Sequence, residues 1–121
     1  MQHPIAPQAL VVDDEPLIRW SLSRALRDRG YDVIEAGDGE AAVKGAAQGP
    51  AVVLLDLKLP DRQDLDLLAE LRGLLPSARF VLMTAFGSPE TKARARELGA
   101  IAVVEKPFDV RAIVALAIGR D

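Results

Sequence analysis

The sequence contains no cysteine. Disulfides, zinc–thiolate sites and cysteine nucleophiles are therefore excluded. There is one histidine, His3, in a proline-flanked start, so a multi-histidine metal site is excluded as well. No basic segment precedes an apolar one at the start, and no signal peptide is expected. The longest apolar run, Ala112 to Ile118, has 7 residues. That is far short of the roughly 20 needed to span a bilayer. The formal net charge is only −3, which argues against a nucleic-acid-binding surface. These absences point to a soluble, cytoplasmic protein with no membrane segment and no direct nucleic-acid contact.

What is present fits one domain. Half of the 121 residues are apolar, enough for a core without a disulfide or structural metal. Residues 1–8, with Pro4 and Pro7, read as a leader, and residues 9–121 as the domain. Short apolar runs then alternate with helical patterns. Ala9 to Val12 reads as a strand. Pro16 suits a helix's first turn, where its missing N–H costs nothing. Ile18, Leu22, Ala25 and Leu26 recur at helical spacing, with Arg19, Ser23 and Arg27 facing away, and Gly30 ends the helix. Tyr31 to Ala36 reads as a second strand, and Asp38-Gly39 turns the chain into an Ala-rich helix ending near Gly49-Pro50. Ala51 to Asp56 is apolar without alternation, as a strand covered on both faces should be. Leu65 to Leu75 reads as a helix stopped by Pro76, and Phe80 to Met83 as the fourth strand. Ser88 and Pro89 open a fourth helix that runs to Gly99. Ile101 to Val104 is the fifth strand, and Asp109 caps a last helix to about Ile118. Five βα repeats imply a parallel sheet with helices on both faces and right-handed crossovers.

In such a sheet, chemistry collects beyond the carboxyl ends of the strands. The residues after each strand are Asp13, Asp14 and Glu15, then Asp56, then Thr84, then Lys106 followed by Pro107. Clustered carboxylates repel each other, and a hard divalent cation with oxygen ligands relieves that repulsion; Mg2+ suits such a site. Asp14 and Asp56 are the expected direct ligands, Asp13 acts through water, and the backbone carbonyl of Lys58 supplies a further oxygen. Asp56 ends the most apolar strand, at the sheet's centre. It is the best nucleophile toward phosphorus. Mg2+ and Lys106 would balance charge on the transferring phosphoryl oxygens, and Thr84 would donate a hydrogen bond to the product.

These segments resemble the receiver domain of bacterial response regulators: VVDDEP at 11–16, LLDLKLPD at 54–61, MTAFGS at 83–88 and VEKPF at 104–108, with Gly99-Ala100 ahead of the fifth strand. The resemblance spans about residues 9 to 118. It implies a three-layer, doubly wound (βα)5 flavodoxin-like fold, an α/β architecture whose five-stranded parallel sheet has the order 2-1-3-4-5. It also implies a signalling domain rather than an enzyme, in a two-component phosphorelay. A sensor histidine kinase would supply the phosphoryl group to Asp56 with Mg2+ present. Asp13 and Asp14 would hold the metal, Thr84 would sense the phosphoryl group, Lys106 would contact it, and Lys106-Pro107 would be cis. LDLKLPD and TAFGSPET look most like receivers placed ahead of ATPase-type transcription activators. Two positions depart from the family. Val103 stands where Tyr or Phe is usual, which excludes an aromatic rotamer switch there, and Asp64 replaces a usual glycine.

Two rival functions remain beside the phosphoacceptor switch. One is a degenerate receiver acting only as a protein-binding module. The other is a small phosphohydrolase of the haloacid-dehalogenase kind, though its usual Asp-x-Asp at the first strand is lacking. Trp20 and Phe80 are expected in the core. Phe86, two residues past Thr84, is either a shield over the phosphoryl site or a solvent-facing loop residue. Arg94, Arg96 and Lys92 with Glu90 and Glu97 are expected to form a solvated face with i,i+4 pairs. In the last helix Val110, Ile113, Val114 and Ala117 form the buried stripe, leaving Leu116 and Ile118 partly outside it. The fourth helix, fifth strand and last helix are therefore expected to meet a second copy or an output domain.

Overall fold

Val52 to Asp56, the strand β3, is buried along its whole length and forms the middle of the sheet. The computed structural model describes residues 5–62 and 65–119. The chain alternates β1 (Gln8–Val12), α1 (Pro16–Asp28), β2 (Asp32–Ala36), α2 (Gly39–Ala46), β3, α3 (Asp66–Leu74), β4 (Arg79–Thr84), α4 (Pro89–Glu97), β5 (Ala100–Glu105) and α5 (Val110–Ile118). All pairings are parallel and the strand order is 2-1-3-4-5. The expected α/β doubly wound architecture is the one observed.

Two apolar clusters lie on the sheet's two faces. Leu10, Val53, Leu55 and Phe80 pack with Leu67, Leu68 and Leu71 of α3 and with Ala95 of α4. Ala9, Val11, Leu54, Val81 and Met83 pack with Leu22 and Leu26 of α1 and with Ile113, Val114 and Ala117 of α5. Successive residues of one strand thus feed opposite layers, which explains why β3 and β4 read as continuous apolar runs. Val103 packs partly buried against the first of these clusters.

Helix ends follow their local chemistry. The side chains of Asp38, Ser88 and Asp109 accept N–H bonds from Ala41, Thr91 and Ala112. Gly30, Gly49, Gly99 and Gly119 take positive φ just past four helix ends.

Several expectations on helix faces are corrected. Trp20 is 55% exposed, with the Arg24 guanidinium 5.7 Å from its ring centre; Phe80 is core as expected. Ser23 is buried instead of facing away, on a helix that packs on α5 as well as on the sheet. Arg19 folds back to pair with Glu35 at 3.2 Å. On α4 the ion pairs are Arg94–Glu97, at i,i+3, and Lys92–Glu105, which reaches β5. In α5, Leu116 is 43% exposed, while Ile118 is partly buried against the core. His3 and Asp64 lie outside the described residues.

Candidate functional site at the carboxyl edge of the sheet

Parallel pairing places the ends of β1, β3, β4 and β5 on one edge. Asp56 sits beside Met83, and Thr84 beside Glu105. Backbone bonds continue past the strands: Leu57 N–H to Met83 O at 2.9 Å, Lys106 N–H to Thr84 O at 2.8 Å, and Asp13 N–H to Ala36 O at 3.0 Å. The residues that carry chemistry are thus held by the sheet's own ladder. Asp14, Asp56, Lys58, Thr84 and Lys106 all line one open cavity of about 540 Å³.

The Lys106 ammonium organises this cavity. Its Nζ lies 2.9 Å from Asp13 Oδ2, 3.2 Å from Asp56 Oδ2 and 3.2 Å from Glu15 Oε1. Asp13 is fully buried and Asp56 is 5% exposed. Two carboxylates this close and this dry need a counter-charge. Burial works against the Lys106 charge, but the bond to Asp13 and the charges of Asp56 and Asp13 outweigh it and push its pKa well up. Asp56 is raised above the ordinary carboxylate range. Desolvation is the main cause and the Asp13 charge adds to it, outweighing the Lys58 N–H and Lys106.

The remaining polar atoms are locally fixed. Asp13 Oδ1 accepts from Glu15 N–H at 2.9 Å, and Asp56 Oδ1 accepts from Lys58 N–H at 3.1 Å. The carbonyl of Asp13 accepts from Arg19 at 2.7 Å. Thr84 Oγ1 accepts from Phe86 N–H at 3.1 Å. Phe86 itself is 92% exposed, so it is the solvent-facing loop residue of the two expectations. Lys106-Pro107 is cis.

One grouping differs from the expectation. Carboxylate oxygens of Asp13, Asp14 and Glu15 lie within 4.8 Å of one another, a set able to hold a cation. Asp56 joins them through Lys106 instead of belonging to that set. Glu15, expected simply as one of the acids after the first strand, also shares the lysine. Thr91 of α4, the last residue of the TAFGSPET segment, also lines the cavity; the sequence reading gave it no role.

A parallel 2-1-3-4-5 sheet with an acidic cup and a lysine at its carboxyl edge defines a class, and the comparisons agree on which. The sequence profile of the response regulator receiver domain matches residues 9–118. This chain belongs to that family, the receiver domains of two-component response regulators. The transcriptional regulatory protein PdtaR of Mycobacterium tuberculosis (strain CDC 1551 / Oshkosh) is 38% identical over 109 residues, covering 88% of this chain and 53% of that protein. Sporulation initiation phosphotransferase F of Bacillus subtilis (strain 168) is 32% identical over 102 residues, covering 84% of this chain and 82% of that protein. A crystal structure of a Burkholderia pseudomallei response regulator with a phosphorylated aspartic acid, calcium ion and citrate superimposes with a TM-score of 0.85 at 34% identity, covering 92% of this chain and 66% of that one. The chain spans about half the length of regulators such as PdtaR and TcrX, at 53% and 45%. Among the described residues, no helix is long and apolar enough to cross a membrane.

Proposed function

We propose that Asp56 is the phosphoacceptor of a conformational switch in a two-component phosphorelay, loaded by a sensor histidine kinase in the cytoplasm. The supporting observation is the Lys106 ammonium held 3.2 Å from Asp56 and 2.9 Å from Asp13 in a desolvated acidic cup. A carboxylate oxygen of Asp56 attacks phosphorus. The new O–P bond forms as the N–P bond of a phosphohistidine breaks, and the imidazole leaves with the electron pair. Lys106 remains beside Asp56 to face the charge spread over the phosphoryl oxygens. Thr84, at the next strand end, exchanges its local bond from Phe86 N–H for one donated to the phosphoryl group.

An oxygen-rich, acid-crowded cup fits a hard divalent cation. The carboxylates of Asp13, Asp14 and Asp56 with the Lys58 carbonyl would hold Mg2+, with Asp13 acting through water. The cation supplies charge neutralisation for the incoming phosphoryl group. Beyond its own phosphorylation and dephosphorylation, the domain turns over no external substrate. Output passes through protein contacts, not through direct nucleic-acid binding. The surface of α4, β5 and α5 is the proposed contact for a second copy or an output domain, supported by exposed Ile101 and Leu116.

A second reading, a binding module without phosphorylation, has Val103 in its favour, because no aromatic ring is present there to report the loaded state. One experiment separates these readings. Incubation with acetyl phosphate and Mg2+ should add one phosphoryl group to the intact mass, and Asp56→Asn should add none. No added mass in the wild type would favour the binding module, and turnover of external phosphoesters would favour a phosphohydrolase.

A further inference from the structure

The amino end of α2 is served twice. Asp38 accepts from Ala41 N–H at 2.8 Å, as an ordinary N-cap does. Asp61 in the β3–α3 loop, 22 residues beyond Gly39, accepts from Gly39 N–H at 2.8 Å and from Glu40 N–H at 3.1 Å. A helix needs partners for its first amides, and Gly39 is buried, so Asp61 serves the helix as well as its own loop. Because that carboxylate comes from a distant loop, the same bonds also fix the loop against α2.

That loop is the one that matters chemically. Residues Leu57 to Pro60 line the cavity beside Asp56. Asp61 follows directly, and the turn is closed by Leu59 N–H to Arg62 O at 2.9 Å. The contact is built for close approach. A Cβ added at Gly39 would stand 2.6 Å from Arg62 Cγ and 3.3 Å from each Asp61 carboxylate oxygen. Arg62 continues outward to pair with Glu70 of α3 at 3.1 Å. The Gly39 N–H above all, then the Glu40 N–H, hold Asp61 below the ordinary carboxylate range against some desolvation.

We infer that Asp61 is a positioning residue, clamping the Lys58 end of the phosphoacceptor loop to the amino terminus of α2. This rests on the reading of Asp56 as phosphoacceptor and of the Lys58 carbonyl as a cation ligand. A clamp removed from behind a ligand leaves the ligand present but loosely placed.

The test compares Asp61→Ala with Asp38→Ala, which uncaps the same helix without touching the loop. Mg2+ affinity is read by calorimetry, the initial rate of labelling by acetyl phosphate by intact mass, and stability by urea unfolding. Asp61→Ala should weaken Mg2+ binding and slow labelling by about tenfold, the lower end of what losing a ligand's support costs. Asp38→Ala should lower stability and leave both functional readouts at wild-type values. Gly39→Ala, which pushes the loop from the other side, should move them in the same direction as Asp61→Ala. Should Asp61→Ala fail to fold, Asp61→Asn and Gly39→Ala carry the comparison. Wild-type Mg2+ affinity and labelling rate in the Asp61 and Gly39 variants would overturn the clamp while leaving the phosphoacceptor reading intact. Labelling that persists in Asp56→Asn would overturn that reading, and the clamp with it.

Discussion

At the scale of single residues, the site stores its function as an unfavourable charge arrangement. Asp56 is desolvated and faces Asp13, and its pKa is raised. An acid raised on folding binds more protons in the native than in the unfolded state. Stability therefore falls as pH climbs from the ordinary value of about 3.9 to the folded one, and the full penalty applies at neutral pH. Replacing the charge by an amide relieves it. Metal-free Asp56→Asn should unfold at a higher urea concentration than wild type near neutral pH. That gain should shrink as pH falls from the raised folded value toward about 4 and vanish below it, where the carboxyl is protonated in both the folded and the unfolded chain. Identical midpoints at neutral pH would show that Lys106 already compensates the burial in full. Lys106 has the opposite sign: its contribution is complete below its ordinary value of 10.5 and fades only as pH rises through its elevated folded value.

Trp20 shows where sequence reading went astray at this scale. Size and apolarity suggested core. Yet Trp20 lies two residues from both Ile18 and Leu22, about 160° round the helix from each at 100° per residue. Periodicity alone would have placed it outside, and its large ring is instead covered in part by Arg24. Ser23 is the converse. Its small hydroxyl is buried beside Leu22, and burial of so small a polar side chain has no signature in one helix's apolar pattern.

Among the elements, α4 stands apart. Ala95 is its one buried residue, while α1, α3 and α5 each bury three. It is held by the Ser88 cap and by Lys92–Glu105 at 3.1 Å. Few apolar contacts mean a low local opening energy. Its amides should exchange with deuterium faster than those of the other helices. Ser88→Ala should speed them roughly fivefold, corresponding to about 1 kcal/mol for a lost N-cap, with little change in β3. Protection of α4 equal to that of α1 would refute this. The elements themselves were readable from sequence, with bounds within a residue or two except at the end of α2, which stops at Ala46, three residues before Gly49. Capping chemistry at Asp38, Ser88 and Asp109 and glycines at helix ends mark boundaries locally. The contacts that went unread join distant segments: Glu15 to Lys106, Asp61 to α2, Lys92 to β5. None of these has a short-range signature, because register between loops is set only once the sheet has formed.

For the whole molecule, the parallel sheet separates two jobs by direction. Carboxyl ends of strands carry acids, hydroxyl and ammonium. The opposite edge carries the glycines at 30, 49, 99 and 119, each in a left-handed turn that a side chain would strain. Damage at the two poles should therefore look different in the living cell. A saturation screen that scores protein abundance and pathway output separately should divide along this axis. Changes at Asp56 or Thr84 should leave a plentiful but silent protein, whereas changes at those glycines should deplete it and dim the response only in proportion to the copies lost.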